Sequence, residues 1–240
     1  MLGLTSVELL LITLAITTGS LIQSSLGFGS ALVALPVLAS ISPVFAPGPL
    51  MAAGVLMGFL ILVRDRSGLD FQGVKFAWPG QILGIAGALI VLELIPKEEM
   101  TIFFGVALIG AVALSTNKFC VRITRRALFL AGMLSGFMGT TSALGGAPLG
   151  ILYQNAPGKR LRATLACLLL VGSGSVLVAL LVSGHFGRAE WQATLLLLPG
   201  CIAGYALSWP VARYLDAGRV RAMVLAFSGI GGAFLVGRAL

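Results

Sequence analysis

Apolar runs follow one another along the chain at about 7–24, 29–42, 49–63, 77–95, 100–114, 127–143, 147–154, 163–183, 191–212 and 220–237, and only short polar corners separate them. Runs of this kind, almost free of charge, read as membrane helices. The pattern predicts an all-α integral membrane protein of about 8–10 membrane segments, with residues 1–240 forming a single transmembrane domain. The first run lacks the positively charged start of a secretory signal and carries Glu8 instead, so it is read as a retained structural element.

The order of the runs occurs twice. Moving the chain by 117 positions lays Gly19 on Gly136, Ser25 on Ser142 and Gly29 on Gly146. Moving it by 120 lays Pro79, Gly80, Ile82, Gly84 and Ala86 on Pro199, Gly200, Ile202, Gly204 and Ala206. We read these matches as an internal duplication, with repeat one at about 1–116 and repeat two at about 124–240.

Composition agrees with a membrane fold: 58% of residues are hydrophobic and 10% charged, against about 25% charged in a soluble domain. The formal charge of +8 does not point to nucleic acid, because the basic residues are scattered over several corners instead of forming a stripe. Thirteen of the 16 fall in four corners, 64–76, 115–126, 155–162 and 213–221, leaving only Lys97, Arg188 and Arg238 elsewhere. Short basic loops stay in the cytoplasm, so these four corners are expected inside and both termini outside. The basic corner 64–76 matches the nearly neutral 184–190 in the other half, and the neutral 43–48 matches the basic 155–162. The two repeats are therefore expected to be inverted.

In each half the first two runs leave the membrane on the side they entered. A crossing needs roughly 20 helical residues. The second arms, 29–42 and 147–154, supply about 14 and 8, so each half is expected to have three full transmembrane helices plus a helical re-entrant (or broken-helix) hairpin, although loop charge alone allows two complete crossings as well. The hairpin turns read IQSSLGFGSALVALP (Ile22 to Pro36) and GTTSALGGAPLGIL (Gly139 to Leu152). Non-helical backbone at this depth is tolerated only where protein or a water-filled cavity satisfies it. Ser30 is expected to cap the restarted helix in the first turn, and Pro148 suits the first helical turn in the second. Two helix starts converging near the midplane from opposite sides suit a small anion, which a carrier working by alternating access would hold there between the two turns. The candidate site is Gln23, Ser24, Ser25, Gly27, Gly29 and Ser30 from one turn, with Thr140, Thr141, Ser142, Gly145 and Gly146 from the other. Spacings such as Gly80 with Gly84, and Gly132 with Gly136, are read as helix packing.

No nucleophile with a base, metal cluster or intramembrane carboxylate pair is visible, so neither an enzyme nor a metal site is expected. Cys120, Cys167 and Cys201 have no paired spacing. Glu8 and Glu93 near outer ends are the only acidic candidates among the spans for proton coupling, and sodium coupling through hydroxyls and carbonyls stays open. His185, in an outer corner, is assigned no role.

Through GFGSALVALPVL, the later GMLSGFMGTTSALGGAPLG and the P-G-x-I-x-G motif, the chain resembles the sulfite exporter (TauE/SafE) family of small bacterial permeases over nearly its whole length. The resemblance implies transport of small sulfur-containing or organic anions, such as sulfite or sulfonates, across the bacterial inner membrane. It departs from the family's glycine triplet where Phe28 and Ser30 flank Gly29 and where Ala147 and Pro148 follow Gly146. A passive anion channel and a non-transporting membrane subunit stay open beside a carrier, as do the coupling ion and the oligomeric state.

Overall fold

The computed structural model describes residues 4–94, 100–116 and 122–211, with positions 226, 229–231, 233–234 and 237 beyond them. Apart from those positions, the run expected at 220–237 lies outside the described residues, as do the basic residues of the 213–221 corner, Lys97, Lys118, Cys120 and Arg238. The described chain forms nine α-helices: α1 (Ser6–Leu26), α2 (Ser30–Ile41), α3 (Gly48–Asp65), α4 (Phe71–Leu94), α5 (Met100–Thr116), α6 (Arg125–Ser142), α7 (Gly146–Tyr153), α8 (Gly158–Val182) and α9 (Arg188–Val211). Five segments are long and apolar enough to cross a membrane: α1, Pro43–Gly68, α4, α8 and Arg188–Trp209. The protein is a multi-pass helical membrane protein. α2, with 12 residues, and α7, with 8, are too short to cross.

Several helices overrun the apolar runs that predicted them. α4 starts at Phe71 rather than 77, and α8 at Gly158 rather than 163. The added turns carry Lys75, Lys159 and Arg160, all exposed, as suits long side chains that can keep their charge in water while their stems lie along apolar surface. α1 begins with a capping box: the Glu8 N–H donates to Thr5 Oγ1 at 3.3 Å, and the Thr5 N–H donates to Glu8 Oε2 at 2.7 Å. Glu8 is thus engaged in starting a helix. At α6 the Ala127 N–H donates to Thr124 Oγ1 at 3.2 Å.

Lipid offers no hydrophobic gain for bringing two helices together, so close approach of backbones must supply the attraction. Three helix pairs achieve it: α4 on α6, α1 on α9 and α3 on α8. Gly80 and Gly84 lie against the backbone of Phe129 and Met133, and Gly132 and Gly136 lie against Ala77 and Gln81. Gly200 and Gly204 meet the α1 segment around Ile16 and Thr17, and Gly54 and Gly58 meet Ser173 and Leu170. The packing role read from these glycine spacings holds. Behind them Ile12, Ile16, Leu35, Phe45, Met57 and Phe104 fill one core, and Tyr153 anchors a smaller one with Ala77 and Leu168. Leu14, Phe59, Leu83, Ile90, Val178 and Leu195 face outward, as apolar side chains on a lipid-exposed surface do.

The foot of α7 is tied down in the corner before α4. Asp70 accepts from Tyr153 Oη at 3.0 Å, from Arg160 at 2.7 Å and from the Gly73 N–H at 3.0 Å, while its own N–H donates to Thr164 Oγ1 at 3.0 Å. Burial disfavours the charged Asp70 carboxylate, but Arg160, the Gly73 N–H and Tyr153 outweigh it and hold its carboxyl below the usual range. The short arm therefore ends at a fixed point.

Candidate functional site

The chain leaves α1 through Gly27, whose φ of 93° lies in the left-handed region and whose N–H donates to the Gln23 carbonyl at 2.7 Å. Gly29, at φ 112°, then caps α2. This corrects the expected Ser30 cap: Ser30 is already helical, and its N–H donates to the side-chain Oε1 of Gln23 at 3.2 Å. Two left-handed residues in three fold the new helix back on α1, so a side chain from the preceding helix reaches the orphan donor that a local cap would have met. In the second turn Ala143 adopts φ 62° and its N–H donates to the Gly139 carbonyl at 2.9 Å. Pro148 falls in the first turn of α7, as the sequence predicts.

The two turns border one cavity of about 60 Å³. Gln23, Gly27, Gly29 and Ala31 line it from the first hairpin, and Gly139, Gly145, Gly146 and Ala147 from the second. Gln81 of α4, Ser135 of α6 and Ser173 of α8 complete its polar wall. Phe28 lies between the hairpins, packed in the space that Gly146 and Gly150 leave open, 3.3 and 3.2 Å from where their side chains would begin. None of the lining residues is ionisable. The field in the cavity therefore comes from dipoles: the starting turns of α2 and α7 both abut it, each with a positive end.

Gln81 is the most exacting polar group there. It is 3% exposed, its Nε2 donates to Ser135 Oγ at 3.2 Å and to the Leu168 carbonyl at 3.4 Å, and its Oε1 is buried without a partner. An unpaired buried carbonyl costs about 1–3 kcal/mol. Within the wall of a cavity it is a vacant acceptor, and turning the carboxamide over presents a donor in its place. Ser135, accepting from Gln81, keeps its own hydroxyl hydrogen for a further acceptor.

The sequence marked eleven residues. Of these, Gln23, Gly27, Gly29, Gly145 and Gly146 line the cavity. Ser24, Ser25, Ser30, Thr140, Thr141 and Ser142 are not among its lining residues. The Ser25, Thr140, Thr141 and Ser142 hydroxyls donate to the carbonyls of Leu21, Gly136, Phe137 and Met138 at 2.8–2.9 Å. Each is one helical turn back along its own helix, where a hydroxyl in a helix readily bonds. Gln81, Ser135, Ser173 and Phe28 were missed. For the three polar ones the signal was a polar side chain in an otherwise apolar span: Gln81 lies inside the PGQILG motif, and Ser135 one residue before Gly136; Phe28 stood out only as a departure from the glycine triplet. Glu8 and Glu93 stand apart from the cavity lining, and His185 is exposed, its Nδ1 3.0 Å from Ser183 Oγ. Among the described residues no three His, Cys, Asp or Glu side chains gather as a metal site.

Compared with known proteins, the chain matches the model of one family, described as sulfite exporter TauE/SafE, over residues 11–235. No curated protein and no solved structure matches it.

Proposed function

The chain belongs to the sulfite exporter TauE/SafE family, and on that premise we propose that it is a permease carrying a small sulfur-containing anion, sulfite or an organosulfonate, across the bacterial inner membrane by alternating access. The observation that carries this reading is the cavity itself: two helix starts and the Gln81–Ser135 pair converge on it, and no ionisable side chain lines it. Its 60 Å³ corresponds to about four water-sized probe positions, room for a small oxyanion stripped of most of its water. Dipoles without a fixed cation hold such an ion and still release it.

The contact set we propose is Gln23, Gly27, Gly29, Gly145 and Gly146 with Gln81, Ser135 and Ser173. The remaining hydroxyls of the two turns shape the backbone that presents it. An inverted pair of repeats, 1–116 and 124–240, is supported by the packing pattern: exchanging the halves turns the α1–α9 contact into the α6–α4 contact and α3–α8 into itself. The lengths of the short arms suggest the depth. The 12 residues of α2 and the 8 of α7 rise about 18 and 12 Å, together the roughly 30 Å of the hydrocarbon core. With α2 reached from outside and α7 from the cytoplasm, the site falls on the cytoplasmic side of the midplane.

Two experiments test these readings. Proteoliposomes loaded with unlabelled sulfite should exchange it for external labelled sulfite, or for a labelled sulfonate. Anion conductance without exchange would convert the carrier into a channel, and silence toward every sulfur anion would remove the substrate class. For the orientation, thiol labelling in a cysteine-free background should reach Arg122→Cys only from the cytoplasm and Arg188→Cys only from outside; both positions are exposed. Labelling of both from one side would overturn it.

A further inference from the structure

The last turn of α1 is a partition. Gln23 faces the central cavity, while its neighbours Ser24 and Ser25 face a second pocket of about 260 Å³. Arg64 and Asp65 at the end of α3, Arg162 in the first turns of α8, and Ser208 and Trp209 near the end of α9 form the rest of its wall.

The charges are fixed in place. Asp65, 6% exposed, accepts from Arg162 Nε at 2.8 Å and from Arg64 at 3.3 Å. Arg64 also donates to the Ser24 carbonyl and to Ser208 Oγ at 3.1 Å, and lies 5.5 Å over the Tyr205 ring. Two guanidiniums share one carboxylate, so among the described residues the wall carries one positive charge in excess. Arg64 and Arg162 keep 17% and 28% of their side-chain surface, so both guanidiniums are partly sheltered and still reachable from the pocket. A partly sheltered cation in excess, on the wall of a pocket that water can enter, lacks one thing: a small anion that accepts from it.

We infer that this pocket is a second anion-binding site, a vestibule that holds the small oxyanion or sulfonate between the cytoplasm and the central cavity. Gly27 makes the two sites neighbours: it lines the cavity, and the space beside it is closed by Arg162 Cα at 3.3 Å. The vestibule gathers the ion by charge and the cavity binds it by dipoles, so an ion passing from one to the other exchanges a strong, sheltered cation for weaker fixed donors. The relay role rests on the permease reading above; anion binding in the pocket does not.

Trp209 reports on the pocket directly, lining it while 65% exposed. With Trp78→Phe and Trp191→Phe leaving it as the only indole of the three in the chain, iodide at constant ionic strength should quench its fluorescence saturably. Sulfite or methanesulfonate should relieve that quenching, whereas quenching by neutral acrylamide should be unaffected. Arg162→Gln should weaken iodide binding about tenfold, and Asp65→Asn, which adds net positive charge, should strengthen it by a similar factor. Either variant that folds decides the matter. Linear iodide quenching in the parent protein, or a folded variant with unchanged saturation, would overturn the vestibule. Saturable quenching without any sulfite exchange would leave the site standing and remove the permease reading; exchange with linear quenching would do the reverse.

Discussion

Replacing Gln81 by leucine is expected to weaken sulfite binding by about 5- to 150-fold, the equivalent of one buried hydrogen bond at about 1–3 kcal/mol, while the purified protein stays monodisperse. Leucine removes the donor and acceptor together, so no polar group of residue 81 is stranded, and Ser135 Oγ loses the bond it accepts while its hydroxyl can still donate. Gln81→Glu separates an anion from any other ligand. The shape is kept, but a carboxylate replaces the amide in the cavity wall. A like charge about 4 Å from the bound anion costs about 4 kcal/mol at an effective dielectric constant of 20, roughly a thousandfold in affinity. Acidification that protonates the introduced carboxyl should restore part of the exchange. Equilibrium binding and proteoliposome exchange across pH measure both variants. If Gln81→Glu binds sulfite as tightly as the parent at neutral pH, or exchanges it faster, the cavity does not hold an anion.

The second large effect is on folding. Gly84→Leu should abolish recovery of folded protein, because a Cβ there would run into the backbone of Met133, and α4 would have to leave α6 to make room. Overpacking costs typically about 1–3 kcal/mol where side chains can move aside. Here the obstacle is a carbonyl in a helix, so the cost should exceed that range. Gly87→Leu is the control. It lies on the same helix three residues on, with no described atom within 4 Å of its would-be Cβ, so leucine there adds helix propensity without running into a neighbouring backbone. Thermal denaturation followed by size-exclusion chromatography should show Gly87→Leu at or above the parent and no folded peak for Gly84→Leu. Equal behaviour of the two would mean that the α4–α6 contact is not what holds the bundle.

Much of this was legible along the chain because a membrane makes sequence rules strict. Hydrocarbon demands apolar helices, and it tolerates a broken backbone only inside protein. The runs therefore marked α1 to α9 within a few residues, and the short arms were visible as runs of 14 and 8 that became helices of 12 and 8. The glycines of the turns stood out for the same reason, and four of them line the cavity. The hydroxyls were harder. A serine or threonine in the last turn of a helix can aim at a ligand or at the carbonyl one turn back, and composition is blind to that choice. Ser25, Thr140, Thr141 and Ser142 took the carbonyl.

What the sequence determined by itself is the membrane fold, its order of helices and the two glycine turns, all consequences of local length, polarity and backbone freedom. What only the tertiary structure decided is which groups share a space. Gln81, Ser135 and Ser173 come from three helices: Gly84 and Gly136 let α4 and α6 approach to backbone contact, and Gly172 of α8 leaves the space that the Gln81 carboxamide fills. Likewise Arg64 and Arg162, 98 residues apart, share Asp65 because the end of α3 lies beside the start of α8. Such meetings depend on side-chain distances across helices, a quantity with no period along the chain.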